Sequence, residues 1–200
     1  MPVLTPTSLD EALAALVDVP TALVLAGGTD VMVEVNESRM DVAEDRAVLS
    51  VRRLPELCGW VHDPLAGTLR LGAAVTYAEL ERPPLCDLVP ALAQAARTVG
   101  SPQIRNAATI GGNLATCSPA GDGLPVLAAL DAVVEVRSAT GGREVPVAEF
   151  MVGVKRTALQ PRELNTAVTV PVLDGCQGYA KVGIRNAMVI AIASACVAVD

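Results

Sequence analysis

Two short segments carry the residue types that could do chemistry. Residues 26–30 read Ala26, Gly27, Gly28, Thr29 and Asp30, and residues 109–113 read Thr109, Ile110, Gly111, Gly112 and Asn113. Each sets a Gly-Gly pair beside a short hydroxyl or amide side chain, and the first directly follows the apolar run of residues 21–25. Adjacent glycines admit positive φ and let the backbone approach a ligand, so successive N–H groups can converge on an anion such as a phosphate. The alternative for either pair is a plain tight turn. Residues 1–38 contain Asp10, Glu11, Asp18, Asp30, Glu34 and Glu37 but no Lys or Arg. A phosphate at the first loop would therefore be held by backbone amides and Thr29, and a pyrophosphate could be shared with one loop on each phosphate. Neither loop is a Walker A sequence, which needs a Lys after its second glycine, and neither is Gly-x-Gly-x-x-Gly, so P-loop and NAD-type Rossmann readings fall.

Other reactive residue types are sparse. The cysteines Cys58, Cys86, Cys117, Cys176 and Cys196 are scattered, odd in number and free of Cys-x-x-Cys pairing, so they read as buried thiols. The lone His62 sits in a turn-like stretch without a second His or a nearby nucleophile and reads as structural. No catalytic residue and no metal site follows from the sequence.

The elements that must position the two loops are legible in outline. Ser8 and Glu11 have capping-box spacing ahead of Leu9, Ala12, Leu13, Leu16 and Val17, which predicts a helix ending near Asp18. Residues 21–25 fit a buried strand that delivers its end into the first loop. Residues 47–51 and 68–75 read as further strands, Thr76 and Glu79 open a short helix, and residues 88–99 predict a helix closed by Gly100. A Gly-punctuated stretch covers residues 100–123, a helix follows to Leu130, and residues 132–137 and 143–147 flank a Gly-containing hairpin loop. Residues 164–172 and 178–184 are two more strand candidates, and the turn-rich residues 54–64 and 173–177 are the candidate internal boundaries. Strands and helices mix without a regular βαβ repeat, which predicts an α+β fold.

Composition bounds the function classes. Of 200 residues 52% are hydrophobic, yet Trp60, Tyr77, Phe150 and Tyr179 are the only aromatics, so the core is aliphatic and disorder is excluded. The longest apolar run, residues 187–199, is interrupted by Ser194 and is short of the roughly 20 residues of a bilayer-crossing helix, so it reads as buried strand or helix. A formal net charge of −7 and the near absence of stacking side chains argue against nucleic acid as a partner. The absence of Lys or Arg before Arg39 predicts a cytoplasmic protein and makes the sequon at Asn36 incidental.

Taken together, the segment Leu25 to Asp30 and the stretch Gln-Ile-Arg-Asn-Ala-Ala-Thr-Ile-Gly-Gly-Asn-Leu-Ala-Thr-Cys-Ser-Pro-Ala-Gly-Asp-Gly at residues 103–123 resemble the FAD-binding subunit of the molybdenum hydroxylases, the xanthine dehydrogenase, aldehyde oxidase and carbon monoxide dehydrogenase relatives. Residues 69–76 and 127–132 are similar too, and Lys181 to Arg185 looks like the family's later Lys-x-x-x-Arg segment. The resemblance covers essentially the whole chain, and the Ser-Pro-Ala-Gly-Asp block leans toward the xanthine dehydrogenase branch. It implies a bilobal PCMH-type, vanillyl-alcohol-oxidase-like domain, with lobes at residues 1–57 and 58–174, FAD held extended between them, and residues 175–200 as the truncated start of a C-terminal α+β domain.

By the same resemblance, residues 26–30 and 109–113 bind the FAD pyrophosphate and neighbouring groups. Asp122 accepts hydrogen bonds from sugar or ribityl hydroxyls, or else caps the helix that follows it. Lys181 places a charge near the flavin N1 and C2 carbonyl, and Leu164 lines the flavin side, where Asn165 replaces the family's usual aliphatic residue. Val99 stands where relatives can carry an aromatic contact, and Arg105 supports a phosphate, pairs with a partner subunit or is simply solvated. The implied function is electron transfer within a complex: a molybdopterin-containing large subunit oxidises the substrate, a 2Fe–2S small subunit relays electrons, and FAD on this chain passes them to NAD+ or another acceptor. The alternatives are a stand-alone flavin reductase of the same superfamily, such as UDP-N-acetylenolpyruvoylglucosamine reductase, or a scaffolding subunit that has lost FAD.

Overall fold

Aliphatic runs and cap signals in the sequence resolve into short elements. The computed structural model describes residues 2–37 and 46–200; Ser38 of the sequon lies outside them. The strands are β1 Val3–Leu4, β2 Leu23–Leu25, β3 Val48–Ser50, β4 Trp60–Asp63, β5 Thr68–Gly72, β6 Val133–Ser138, β7 Gly141–Pro146, β8 Met151–Gly153, β9 Arg156–Thr157, β10 Leu164–Pro171, β11 Gln177–Val182 and β12 Ala193–Ala198. The helices are α1 Leu9–Asp18, α2 Val31–Asn36, α3 Tyr77–Leu80, α4 Leu85–Leu88, α5 Pro90–Thr98, α6 Pro102–Ala107, α7 Ile110–Thr116, α8 Gly123–Ala129 and α9 Val147–Phe150.

Both predicted N-terminal caps are present. The Ser8 hydroxyl accepts from the Glu11 amide, while the Glu11 carboxylate accepts chiefly from the Thr7 amide and hydroxyl. Thr76 and Glu79 form the full reciprocal box at α3. Helix α1 buries Leu9, Ala12, Leu13 and Leu16 in one core with Leu49 of the parallel sheet β1-β3-β2 and Val51 just beyond it. Each buried leucine stabilises this small core by roughly 1.5–3 kcal/mol.

The second sheet is antiparallel, in the order β4-β5-β10-β6-β7. Its central strand β10 is buried nearly throughout, and Leu69, Leu71, Val134, Val136, Val168 and Val170 pack with Leu92, Ala95 and Ala96 of α5 and Ile110 and Leu114 of α7 in the larger core. The predicted hairpin is tighter than the sequence suggested, because pairing runs on to Ser138 opposite Gly141.

Residues 54–64, read as a turn-rich boundary, hold a 3-10 turn at Pro55–Leu57 and the edge strand β4. The side chains of β4 are exposed but for a half-buried His62, so the strand has no hydrophobic alternation to betray it. The two sheets meet at residues 72–74, where the Gly72 amide donates to Gly59 and the Ala74 amide to Leu57. Ala73, Ala74 and Leu164 from the second sheet's end complete the first core. The last residues form a separate hairpin, β11 with β12, docked on α5 and α8. Residues 187–199 are thus half-exposed strand and loop rather than a buried run, with Met188, Ile190, Ile192, Val197 and Val199 exposed.

Candidate functional site

A cleft of about 430 Å³ opens where the two sheets meet, and both glycine loops line it. Strand β2 ends at Leu25, whose carbonyl accepts from Val51, and the chain turns through Gly28 at φ +71 before α2 begins. Among the described residues, the amides of Gly27, Gly28, Thr29 and Asp30 donate to no protein acceptor. These are the open donors an anion requires.

The second loop is arranged differently. Thr109 caps α7 by accepting from the Gly112 amide at 3.0 Å, and the Ile110, Gly111 and Asn113 amides donate to Val75, Ala73 and Thr109 carbonyls at 2.9, 2.9 and 3.0 Å. The first amides of this helix are already satisfied. One Gly-Gly pair per phosphate, each offering free amides, is therefore not the arrangement found. Gly111 is required by packing instead, since a Cβ there would lie 2.4 Å from the Ala73 Cβ.

Of the residues singled out from sequence, Ala26, Gly27, Gly28, Thr29, Asp30, Thr109, Gly111, Gly112, Asn113, Asp122 and Leu164 line the cleft. Ile110 does not; it is 0% exposed and packs in the larger core, with its side chain beside Gly123 of α8. Lys181 does not line it either. Its ammonium donates to Asp122 Oδ2 at 2.8 Å and to the Thr98 carbonyl at 3.0 Å. Asp122 makes no side-chain cap to α8, which removes the helix-cap alternative. Val99 lines the cleft, whereas Arg105 is turned away into an ion pair with Glu81 at 2.6 Å and bonds to the Val99 and Gly100 carbonyls.

Sequence reasoning missed three contributors. Asn165, singled out only as a departure, lines the cleft and donates from Nδ2 to the Gly111 carbonyl at 2.9 Å, at a β10 bulge. Tyr77 lines the cleft with its hydroxyl buried beside the Gly123 backbone, and among the described residues neither that hydroxyl nor the buried Asn113 Oδ1 makes a well-formed hydrogen bond. Burial, with the Asp122 carboxylate adding to it, raises the Tyr77 phenol far above its ordinary value and keeps it protonated. The third, Tyr179, donates to Asp122 Oδ1 at 2.8 Å. Its signal was present: Tyr179 and Lys181 are two apart in a predicted strand and so share a face.

The charged side chains lining the cleft are Asp30 and Asp122, and among the described residues no Lys or Arg lines it. Open amides without a cation, an apolar wall of Leu25, Val51, Ala73 and Leu164, and buried polar atoms without a well-formed hydrogen bond suit a long ligand that is part phosphate and part ring.

The sequence model of the family described as "FAD binding domain in molybdopterin dehydrogenase" matches residues 1–173. The chain belongs to this family. FAD is accordingly the cofactor of this FAD-binding domain. The domain is 36% identical over 198 residues to the nicotinate dehydrogenase FAD-subunit of Eubacterium barkeri, covering 94% of this chain and 64% of the relative. It is 34% identical to a putative xanthine dehydrogenase FAD-binding subunit of Escherichia coli, covering 82% of this chain and 55% of that protein. It thus spans somewhat over half the length of these curated relatives. Among solved structures it superposes on a chain of the carbon monoxide dehydrogenase of Oligotropha carboxidovorans with TM-score 0.88 at 27% identity, covering 97% of this chain and 67% of that one. Quinoline 2-oxidoreductase from Pseudomonas putida gives TM-score 0.87 at 26% identity, covering 94% and 65%. These neighbours support the expected α+β FAD-binding fold.

Proposed function

We propose that this FAD-binding domain is the electron-transfer part of a molybdenum hydroxylase, an oxidoreductase active only in a complex. In that complex a molybdopterin-containing large subunit oxidises substrate, a 2Fe–2S small subunit relays electrons, and NAD+ or another acceptor receives them. The observation that carries this reading is the cleft with open amides at residues 27–30, in a chain whose relatives are named as FAD subunits of dehydrogenases. The five cysteines are free. Free thiols favour a reducing compartment, the cytoplasm. No helix of the described residues is long and apolar enough to cross a membrane.

Bound FAD supplies two-electron storage with exchange of single electrons. The chain's own residues do the binding. The amides of Gly27, Gly28, Thr29 and Asp30 and the Thr29 hydroxyl hold the pyrophosphate; Thr109, Gly112 and Asn113 supply the facing wall. Asp122 keeps lone pairs for sugar or ribityl hydroxyls, and Leu164 shields the ring on the side where Asn165 stiffens the second loop. We place the lobes at residues 1–57 and 58–174, with FAD extended between them. Lys181 acts on this site through Asp122.

The test is uptake of FAD by the purified chain, read by flavin absorbance and by quenching of flavin fluorescence. Non-covalent, near-stoichiometric binding is expected. A chain that stays colourless after incubation with FAD overturns the reading.

A further inference from the structure

Asp122 is the one carboxylate of the cleft whose two oxygens are each claimed from the same strand outside it. Tyr179 and Lys181 project from one face of β11; the hydroxyl donates to Oδ1 at 2.8 Å and the ammonium to Oδ2 at 2.8 Å. The Lys181 and Asp122 side chains are only 6% and 9% exposed. A second set of bonds fixes the strand that carries the donors: the Tyr179 amide donates to Gln94 Oε1 at 2.8 Å and Lys181 to the Thr98 carbonyl, both on α5. Burial and the adjacent carboxylate raise the Tyr179 phenol, so at neutral pH it keeps the proton that it donates to Asp122. A carboxylate with one donor on each oxygen cannot turn about its terminal torsion without breaking a buried bond, which is costly. The donors lie beyond residue 173, where the family match ends.

We propose that Tyr179 is a positioning residue of the cofactor site. Together with Lys181 it fixes both oxygens of Asp122, so the β11–β12 hairpin sets the acceptor geometry that the cleft offers a bound hydroxyl. The proposal rests on the FAD reading above for its ligand, but not for its geometry.

The experiment compares the full chain with Tyr179→Phe, Asp122→Asn and the double variant. Phenylalanine keeps the ring that packs on the larger core and removes only the hydroxyl. Two readouts are taken: the FAD dissociation constant by fluorescence quenching, and amide exchange at Gly121 and Leu124 in FAD-free protein. Tyr179→Phe is expected to weaken FAD binding by roughly 10-fold, the scale of one lost charge-assisted bond, and to speed exchange at Gly121 and Leu124. Asp122→Asn should cost at least as much, and the double variant no more than Asp122→Asn alone, because Tyr179 acts through Asp122. Wild-type affinity in Tyr179→Phe, additive losses in the double variant, or unchanged exchange each overturn the proposal. If Asp122→Asn fails to fold, Tyr179→Phe decides on its own. Failure of the unaltered chain to bind FAD overturns the function reading instead, and the exchange readout still decides whether Tyr179 orders Asp122.

Discussion

Gly27 and Ala107 touch so closely that a Cβ added to Gly27 would lie 1.9 Å from the Ala107 carbonyl oxygen. The first glycine loop therefore rests on the end of α6, and its first glycine serves the contact between the two parts of the fold. Gly27→Ala should force that contact open, destabilising the chain by about 1–3 kcal/mol or more and removing FAD uptake. Gly28→Ala meets no backbone but demands a positive φ of a Cβ residue, at a cost of about 1–2 kcal/mol. Urea midpoints of the two variants check the order, and a stable Gly27→Ala chain would contradict the contact.

Asn165 ties β10 to the second loop. Asn165→Leu removes its bond to the Gly111 carbonyl while restoring the aliphatic character of that wall. A loss of about 1 kcal/mol in stability is expected. FAD affinity should fall by a few-fold in titration; unchanged affinity would mean that the bond does not hold the loop in shape.

One ion pair sets an acid-side dependence. Arg143 donates twice to Glu163, at 2.9 and 2.7 Å, and this bonding holds the Glu163 carboxyl below its ordinary value, with a further amide bond from Gln160. A carboxyl lowered on folding stabilises the chain fully above the unfolded value, about 4.3, and loses that contribution as pH falls through the lowered folded value. Because Arg143 is 39% exposed, the pair is discounted for solvent screening. Arg143→Met should cost about 0.5–1 kcal/mol at neutral pH, and the difference from the unaltered chain should shrink as pH falls below the unfolded value and vanish once it passes the lowered folded value. Unfolding midpoints across that range give the comparison.

The outer hairpin should be uneven in protection. Strand β11 pairs with β12 from Gln177 opposite Ala198 to Val182 opposite Ala193 and is anchored on Gln94 and Thr98, whereas Ile184, Met188 and Ile190 of the connection are exposed. Exchange in residues 183–191 should be faster than in the paired residues by about 10-fold or more. Uniform protection through residue 199, or uniform lack of it, would be inconsistent with a docked hairpin and an open connection.

How much of this was legible from residues alone follows from range. Signals confined to a few neighbours were sufficient: the Ser8 and Thr76 caps, the strand leading into Ala26, the hairpin around Gly141 and the Gly-Gly loops as cleft residues all depend on local periodicity and side-chain type. The family, too, was evident in ordered motifs of the linear chain. What the sequence could not convey was which groups are already occupied. Gly27 and Gly111 look alike as loop glycines, yet one is placed by the Ala107 carbonyl and the other by Ala73, partners 80 and 38 positions away. Lys181 looked like a free charge for a flavin and is instead spent on Asp122, 59 residues distant. The sequence by itself determined the donors, acceptors and hydrophobic faces. Only tertiary packing decided which of them remain open to a ligand, because a hydrogen bond or a close contact made across the fold consumes a group that the linear chain shows as available.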